Sequence, residues 1–146
     1  MTAYREFVAS HERWYRGRLP ETDKSLDDAE AKLGIRFPLD LRWLLTDYGY
    51  WHATGVSSLE ETVDCTLRAR EHLGLPTNLI VLSDHGDGGA FILDCDPDRD
   101  SGAHTIWGVA WEDVPDNLHA GTRFGSLEEY GKYLIDEEGA FLAEED

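Results

Sequence analysis

The chain has 146 residues, of which 30 are acidic and 13 basic, giving a net charge of −17 at pH 7, and 41% of its residues are hydrophobic. A chain of this length and composition is expected to form one domain, residues 1–146, around an ordinary hydrophobic core. It lacks both an apolar run of about 18 residues, as a membrane span requires, and a signal-peptide core, so we expect a cytoplasmic protein.

The negative charge is concentrated in the second half of the chain. Residues 1–73 contain 13 acidic and 10 basic residues, a balance of −3, whereas residues 74–146 contain 17 acidic and three basic residues, a balance of −14. A surface this acidic repels nucleic acid and anionic membranes, so neither is expected as a partner. It favours a basic protein partner, although a requirement for solubility alone also explains it.

Helical periodicity dominates the first part of the chain. One helix with an aromatic face is predicted over residues 4–15. A second is predicted to begin at Ser25, where the letters SLDD fit a capping box, and to end at Gly34 in the left-handed conformation. Pro38 is predicted to open a third helix that ends at Gly49.

A fourth helix is predicted to start after Ser58, whose side chain would cap it. Helical spacing predicts that one apolar stripe of this helix is buried. That stripe consists of Leu59, Val63, Leu67 and either Ala69 or Leu73.

From residue 78 the hydrophobic period changes from 3.6 to about 2, which indicates strands. Strands are predicted over residues 78–84, 90–96 and 103–111, followed by a connection and a last helix capped by Ser126. Helices, then hairpin-linked strands, then a helix is an α+β order.

The segment FILDCDPDRDSG, residues 91–102, carries an aspartate at every second position from Asp94 to Asp100. This spacing is similar to the start of a calcium-binding loop, which also needs a glycine at position 6 and a glutamate at position 12. Counted from Asp94, those positions hold Arg99 and Thr105. We therefore expect no specific metal site there.

No other pattern of residues indicates catalysis or a cofactor. The six histidines show no metal-ligand spacing, and the glycine-rich turn lacks the features of a phosphate-binding loop. Cys65 and Cys95 belong to no metal or redox motif and are expected to be free thiols. A metal-dependent hydrolase centred on Asp84, His85 and Asp87 is the one enzymatic alternative, and it would need further ligands that the sequence does not indicate. We expect a protein that is not an enzyme.

Four segments together resemble the SUKH superfamily. They are AEAKLGIRFPLDLRWLLTDYGY, LIVLSDHGDGGAFILDCD, GAHTIWGVAWED and FGSLEEYGKYLID, which begin at residues 29, 79, 102 and 124. Phe37 stands where leucine is usual, and Tyr48 and Tyr50 flank a single glycine where the family has an Asn-Gly-Gly-like turn. The resemblance implies a curved antiparallel sheet packed with helices. It also implies a protein-binding domain without catalytic activity.

Bacterial members of that superfamily are typically immunity proteins that neutralise a toxin, and fungal members regulate cell-wall assembly. The resemblance, combined with the acidic surface, favours an immunity protein that binds a basic toxin domain, most readily a nuclease. The alternative is an adaptor or regulatory scaffold of the same fold that binds a cellular protein. The residues predicted to contact the partner are acidic residues of the turns and three tryptophans: Asp84, Asp87, Asp94, Asp96, Asp98, Asp100, Glu112, Asp113, Trp51, Trp107 and Trp111.

Overall fold

The computed structural model describes residues 3–15, 19–50, 56–84, 88–114 and 116–136. Within these ranges the chain forms six α-helices and one four-stranded sheet. The helices are α1 (Ala3–Ser10), α2 (Glu12–Tyr15), α3 (Asp23–Leu33), α4 (Leu39–Asp47), α5 (Leu59–Leu73) and α6 (Leu127–Leu134), and the strands are β1 (Leu79–Asp84), β2 (Gly89–Asp94), β3 (Ile106–Ala110) and β4 (Thr122–Phe124). The predicted α+β order is confirmed.

The sheet is an antiparallel meander in the order β1-β2-β3-β4. In the first hairpin Leu79 lies opposite Asp94, and Asp84 lies opposite Ala90. A register shift between Val81 and Ser83 marks a bulge in β1. The two ends of the hairpin therefore lie at opposite ends of the strands, and this separates the predicted contact residues into two groups.

Strand β4 was not predicted; the sequence pattern indicates only a connection there. It has three residues, and the first two, Thr122 and Arg123, are exposed. Phe124 supplies its buried side chain and lies opposite Ile106 of β3. Three residues are too few to show an alternating pattern, so this strand depends on its pairing with β3.

Two hydrophobic clusters cover the two faces of the sheet. Helices α1, α3, α4 and α6 contribute to the larger cluster, together with Ile80, Leu93 and Ile106 of the sheet. The smaller cluster contains Val81 and Ile92 of the sheet and is closed by the end of α5 and the segment after β3. Helix α5 contributes to both clusters, with Leu59 and Val63 in the larger one and Ala69 in the smaller one. The sheet is therefore covered by helices on one face, and by the end of α5 with short irregular segments on the other.

Helix α5 covers the free edge of β1. The Oγ1 of Thr66 accepts a hydrogen bond of 2.9 Å from the backbone N–H of Val81, and the carbonyl of Leu82 accepts one from Ser57. These bonds satisfy backbone groups that an edge strand would otherwise present to another chain. Thr66 is fully buried as a result.

This contact rotates α5 away from its expected orientation. Leu59, Val63 and Ala69 are buried as predicted, Ala69 being the buried one of the two alternatives Ala69 and Leu73, but the predicted burial of Leu67 is wrong. Leu67 is 41% exposed, because Thr62 and Thr66 occupy the buried positions instead, and Leu73 is 37% exposed.

Two predicted helices also differ from the structure, one by a break and one in its capping residue. The helix expected over residues 4–15 is broken at His11, whose N–H donates to the carbonyl of Val8 and whose ring Nδ1 lies 2.9 Å from the carbonyl of Phe7. The second helix is capped by Thr22 rather than Ser25. Ser25 is instead the third helical residue and returns the capping-box bond to the Thr22 N–H.

Candidate protein-binding surfaces

The predicted contact residues fall into two groups at opposite ends of the β1–β2 hairpin. Asp84 ends β1 opposite Ala90, whereas Asp94 ends β2 opposite Leu79. Ala90 and Asp94 are four residues apart on one strand, which corresponds to about 13 Å. The acidic side chains therefore form two separate surfaces, one at each end.

The first surface is the acidic loop, defined as residues 94–101. The loop starts with an Asx turn, in which Asp94 Oδ1 accepts hydrogen bonds from the Asp96 N–H at 2.9 Å and from Asn78 Nδ2 at 3.0 Å. Further along, the carbonyl of Asp98 accepts a bond from the Ser101 N–H. The loop thus has a defined backbone conformation.

Arg99 holds the acidic loop against the helical layer. Its carbonyl accepts a hydrogen bond of 2.8 Å from the N–H of Leu39, the first residue of α4. Its Nη2 lies 3.3 Å from Glu30 Oε2 on α3. The one basic residue of the loop is therefore turned toward the protein and away from the loop's outer face.

Glu30 pairs both with Arg99 of the acidic loop and with Arg42 of α4. Its Oε1 lies 2.9 Å from Arg42 Nη1, and its Oε2 also accepts a bond of 2.7 Å from the Phe37 N–H. The side chains of Glu30 and Arg42 are only 13% and 14% exposed. A charged pair this sheltered is screened less by salt than a surface pair.

The outer face of the acidic loop carries the carboxylates of Asp96, Asp98 and Asp100, which are all exposed. In the described part of the chain, none of the three has an ion-pair partner. Nor do the described residues contain a group of three or more His, Cys, Asp or Glu side chains arranged to hold a metal ion. The arrangement suits recognition of basic groups on another molecule.

The second surface is a cleft of about 310 Å³, here called the α5 cleft. Residues of one face of α5 form one wall, and the end of β1 with the residue after β3 forms the other. Its lining consists of Cys65, Arg68, Ala69, His72, Leu73, Asp84 and Trp111.

Trp111 is joined to the hairpin end by its backbone N–H, which donates to the carbonyl of Gly88 at 2.8 Å. It begins a 3-10 turn, Trp111–Asp113, that also carries Glu112. Glu112 and Asp113 follow Trp111 in this turn but are not among the residues that line the cleft. The sequence predicted Asp84 and Trp111 as contact residues, but it did not indicate that α5 forms the opposite wall of the cleft.

Trp107 lies on the same sheet face as the smaller cluster and is opposite Ile92. It is half-buried, and its Nε1 is buried without a hydrogen-bond partner in the described residues. Packing against the smaller cluster accounts for the position of the Trp107 side chain. The remaining predicted contacts, Trp51 and Asp87, lie outside the described residues, as does His85.

Cys65 and Cys95 are both free thiols, as predicted. Cys65 and His72 both line the α5 cleft, but seven residues of helix separate them by about 10.5 Å along the axis, too far for His72 to act as its base. Arg68 Nη2 lies 3.5 Å from Cys65 Sγ instead. Cys95 packs against the larger cluster, and burial raises the pKa of its thiol to about 12, with smaller contributions from Asp94 and Glu30.

Comparison with sequence models of protein families shows which family the chain belongs to. The sequence model of the SMI1 / KNR4 family (SUKH-1) matches residues 20–134, most of the chain. The chain belongs to this family. The suspected SUKH membership is confirmed, while no curated protein matches the sequence.

The SUKH-1 match includes both surfaces, since the acidic loop and the α5 cleft lie within residues 20–134. Domains of this family are generally immunity or regulatory proteins that bind protein partners and have no catalytic role. In the described ranges, no helix is both long and apolar enough to cross a membrane.

Proposed function

We propose that this SUKH-1 protein is a bacterial immunity protein that binds and neutralises a cognate toxin in the cytoplasm. The acidic loop supplies its electrostatic recognition surface. The observation that carries this proposal is the exposure of Asp96, Asp98 and Asp100 on a loop whose only basic side chain, Arg99, is bound to Glu30.

A basic nuclease is the toxin class that fits these charges best. A nuclease holds phosphates with lysine and arginine side chains, and carboxylates at similar positions on an inhibitor can bind the same groups. Such complementarity mainly accelerates association, toward about 10⁸–10⁹ M⁻¹s⁻¹ at low salt. A fixed loop also loses little conformational entropy on binding.

We propose further that residues 1–146 form a single domain. Helix α1 precedes the matched range, yet its residues Tyr4, Phe7 and Val8 belong to the larger hydrophobic cluster. Arg5 Nε also lies 3.1 Å from the buried carboxylate of Asp40 on α4. These contacts support one folding unit that includes the N-terminal helices.

Co-expression with the product of the adjacent gene tests the proposal. We expect a complex that survives purification and protects cells from the neighbour's toxicity. A neighbour that is toxic but neither binds nor is neutralised would contradict the immunity function. Affinity capture that returns housekeeping proteins, with no effect on toxicity, would favour the adaptor alternative.

A further inference from the structure

One face of α5 supplies both apolar and basic groups to the α5 cleft. Ala69 and Leu73 lie one helical turn apart and, with Trp111 of the other wall, provide apolar surface. Arg68 and His72 are also one turn apart, and both are exposed. The cleft is therefore an apolar depression bordered on its α5 side by nitrogen donors.

The Arg68 guanidinium is available to a ligand. Asp64 lies four residues before it, at the spacing of a helical ion pair, yet the two side chains form no such pair. The Nη2 of Arg68 lies 3.5 Å from Cys65 Sγ instead, and a thiol is only a weak acceptor. Within the described ranges Arg68 has no carboxylate partner, so most of its N–H donors can bind one from another molecule.

The acidic residue of the lining does not cancel this basic side. Asp84 is the one carboxylate among the described lining residues, and it already has an interaction partner within the protein. A carboxylate that enters the cleft would thus find its hydrogen-bond donors on α5, at Arg68 and at the ring N–H of His72.

We propose that the α5 cleft anchors the protein partner by receiving one aromatic or aliphatic side chain that has a glutamate or aspartate beside it. The apolar side chain packs between Leu73 and Trp111, and the carboxylate accepts hydrogen bonds from Arg68 and His72. The cleft volume of about 310 Å³ is at the lower end of the range for ligand pockets, which suits a single side chain. This inference rests on the proposed function only for the identity of that partner.

The two surfaces then present opposite charges at the two ends of the β1–β2 hairpin. The acidic loop attracts basic groups, whereas Arg68 and His72 attract an acidic one. Opposite charges at separate positions fix the orientation in which a partner docks. Apolar contact beside Trp111 supplies most of the binding energy, because anchors in pockets usually do. Changes in the cleft should therefore alter dissociation, and changes in the loop should alter association.

A peptide titration tests the cleft without any toxin. The ¹⁵N-labelled full-length protein is titrated with acetyl-Glu-Phe-Glu-amide at about 0.15 M salt, where the protein's net charge is screened beyond about 8 Å. We expect changes of the amide chemical shifts in residues 65–73 and at Trp111. Acetyl-Lys-Phe-Lys-amide keeps the ring with the opposite charges, and acetyl-Glu-Ala-Glu-amide keeps the charges without the ring, so neither should produce these changes.

Two matched pairs of variants separate the basic and the apolar part of the site. Arg68→Gln should raise the Kd of the peptide about three- to fivefold. Arg36→Gln removes the same charge from an exposed arginine outside the cleft and should leave the Kd unchanged. Leu73→Ser should abolish the shift changes, whereas Leu67→Ser alters a leucine of similar exposure outside the cleft and should retain them.

Three results would overturn the inference. They are the absence of shift changes in the cleft at millimolar peptide, equal responses to the three peptides, and equal effects of the two variants within either pair.

Failure of the cleft and failure of the proposed function give different results. A toxin complex that Arg68→Gln and Leu73→Ser leave unchanged, with no peptide binding in the cleft, would refute the anchor site alone. Peptide binding in the cleft without protection against any adjacent toxin would refute the immunity function and retain the site.

Discussion

Glu30 and Arg99 are 69 residues apart in the sequence, yet Arg99 Nη2 lies 3.3 Å from Glu30 Oε2. The contact joins α3 to the acidic loop and removes the loop's single positive charge from its outer face. The same carboxylate binds Arg42 of α4. One glutamate therefore connects the position of the proposed recognition loop to the packing of the helices.

Replacement of this carboxylate should destabilise the fold. Glu30→Gln removes the negative partner of Arg99 and the one sheltered carboxylate among the three that pair with Arg42, so we expect a loss of about 2 kcal/mol in the free energy of unfolding. Urea denaturation of the variant and the parent protein measures this loss. Asp28→Asn on the same helix breaks only the exposed pair with Lys24 and should cost less than about 0.5 kcal/mol. Equal losses in the two variants would show that Glu30 is not the connecting residue.

Alkaline pH should destabilise the protein through Cys95. Burial raises the thiol pKa from 9.0 to about 12 in the folded state. The unfolded chain therefore loses its proton first, so this group's stabilising contribution is complete below pH 9 and is lost as the pH rises toward 12. The loss approaches about 1.4 kcal/mol per pH unit.

Cys95→Ala should reduce that pH dependence, measured as the free energy of unfolding at several pH values between 9 and 11. Cys65→Ala retains Cys95 and should keep the steeper fall. The explanation is wrong if both variants lose stability with the same slope as the parent protein.

Gly49 should tolerate substitution much less than Gly34. Both have positive φ, but a Cβ on Gly49 would lie 2.4 Å from the carbonyl carbon of Leu19, whereas one on Gly34 would meet nothing within 4 Å. Gly34→Ala should cost about 1 kcal/mol through its backbone conformation. Gly49→Ala should cost about 2 kcal/mol more, because the Leu19–Tyr50 bridge must move. Thermal unfolding of the two variants measures the difference, and similar melting temperatures would refute it.

Neutralising the acidic loop should stabilise the protein at low salt. The triple variant Asp96→Asn, Asp98→Asn, Asp100→Asn removes repulsion worth about 1 kcal/mol, or roughly 3 °C in Tm. The gain should shrink at 0.15 M salt, where the Debye length is about 8 Å. Scanning calorimetry at the two salt concentrations provides the test. A Tm of the parent protein that does not rise with salt would argue against a concentrated acidic surface.

Much of the fold follows from the sequence because its signals are local. The left-handed Gly34 and the Ser58 cap are both found as predicted, and α3 buries Leu26, Ala29 and Leu33 at helical spacing. The predicted capping residue of α3 was wrong because Thr22 and Ser25 are both residues that can cap a helix. In α5 the apolar pattern was overridden by a tertiary hydrogen bond from Val81 to Thr66, which no periodicity shows.

The candidate site was harder to predict because its residues are distant in the sequence and come together only in the folded chain. The sequence located the acidic residues and Trp111, but the antiparallel register separates Asp84 from Asp94. Arg68, His72 and Leu73 form no recognisable motif, and only the packing of α5 against β1 brings them beside Trp111. Leu73, which the helical spacing offered only as an alternative to the buried Ala69, is 37% exposed in this cleft.

The rate of association with the cognate toxin tests the central claim most directly. Stopped-flow measurements over a range of salt concentrations should show fast, salt-sensitive association for the parent protein. The triple loop variant should associate at least about tenfold more slowly at low salt. The control Glu60→Gln, Asp64→Asn, Glu71→Gln changes the net charge equally on exposed positions of α5 and should have a much smaller effect. Equal slowing by both sets would contradict recognition through the acidic loop.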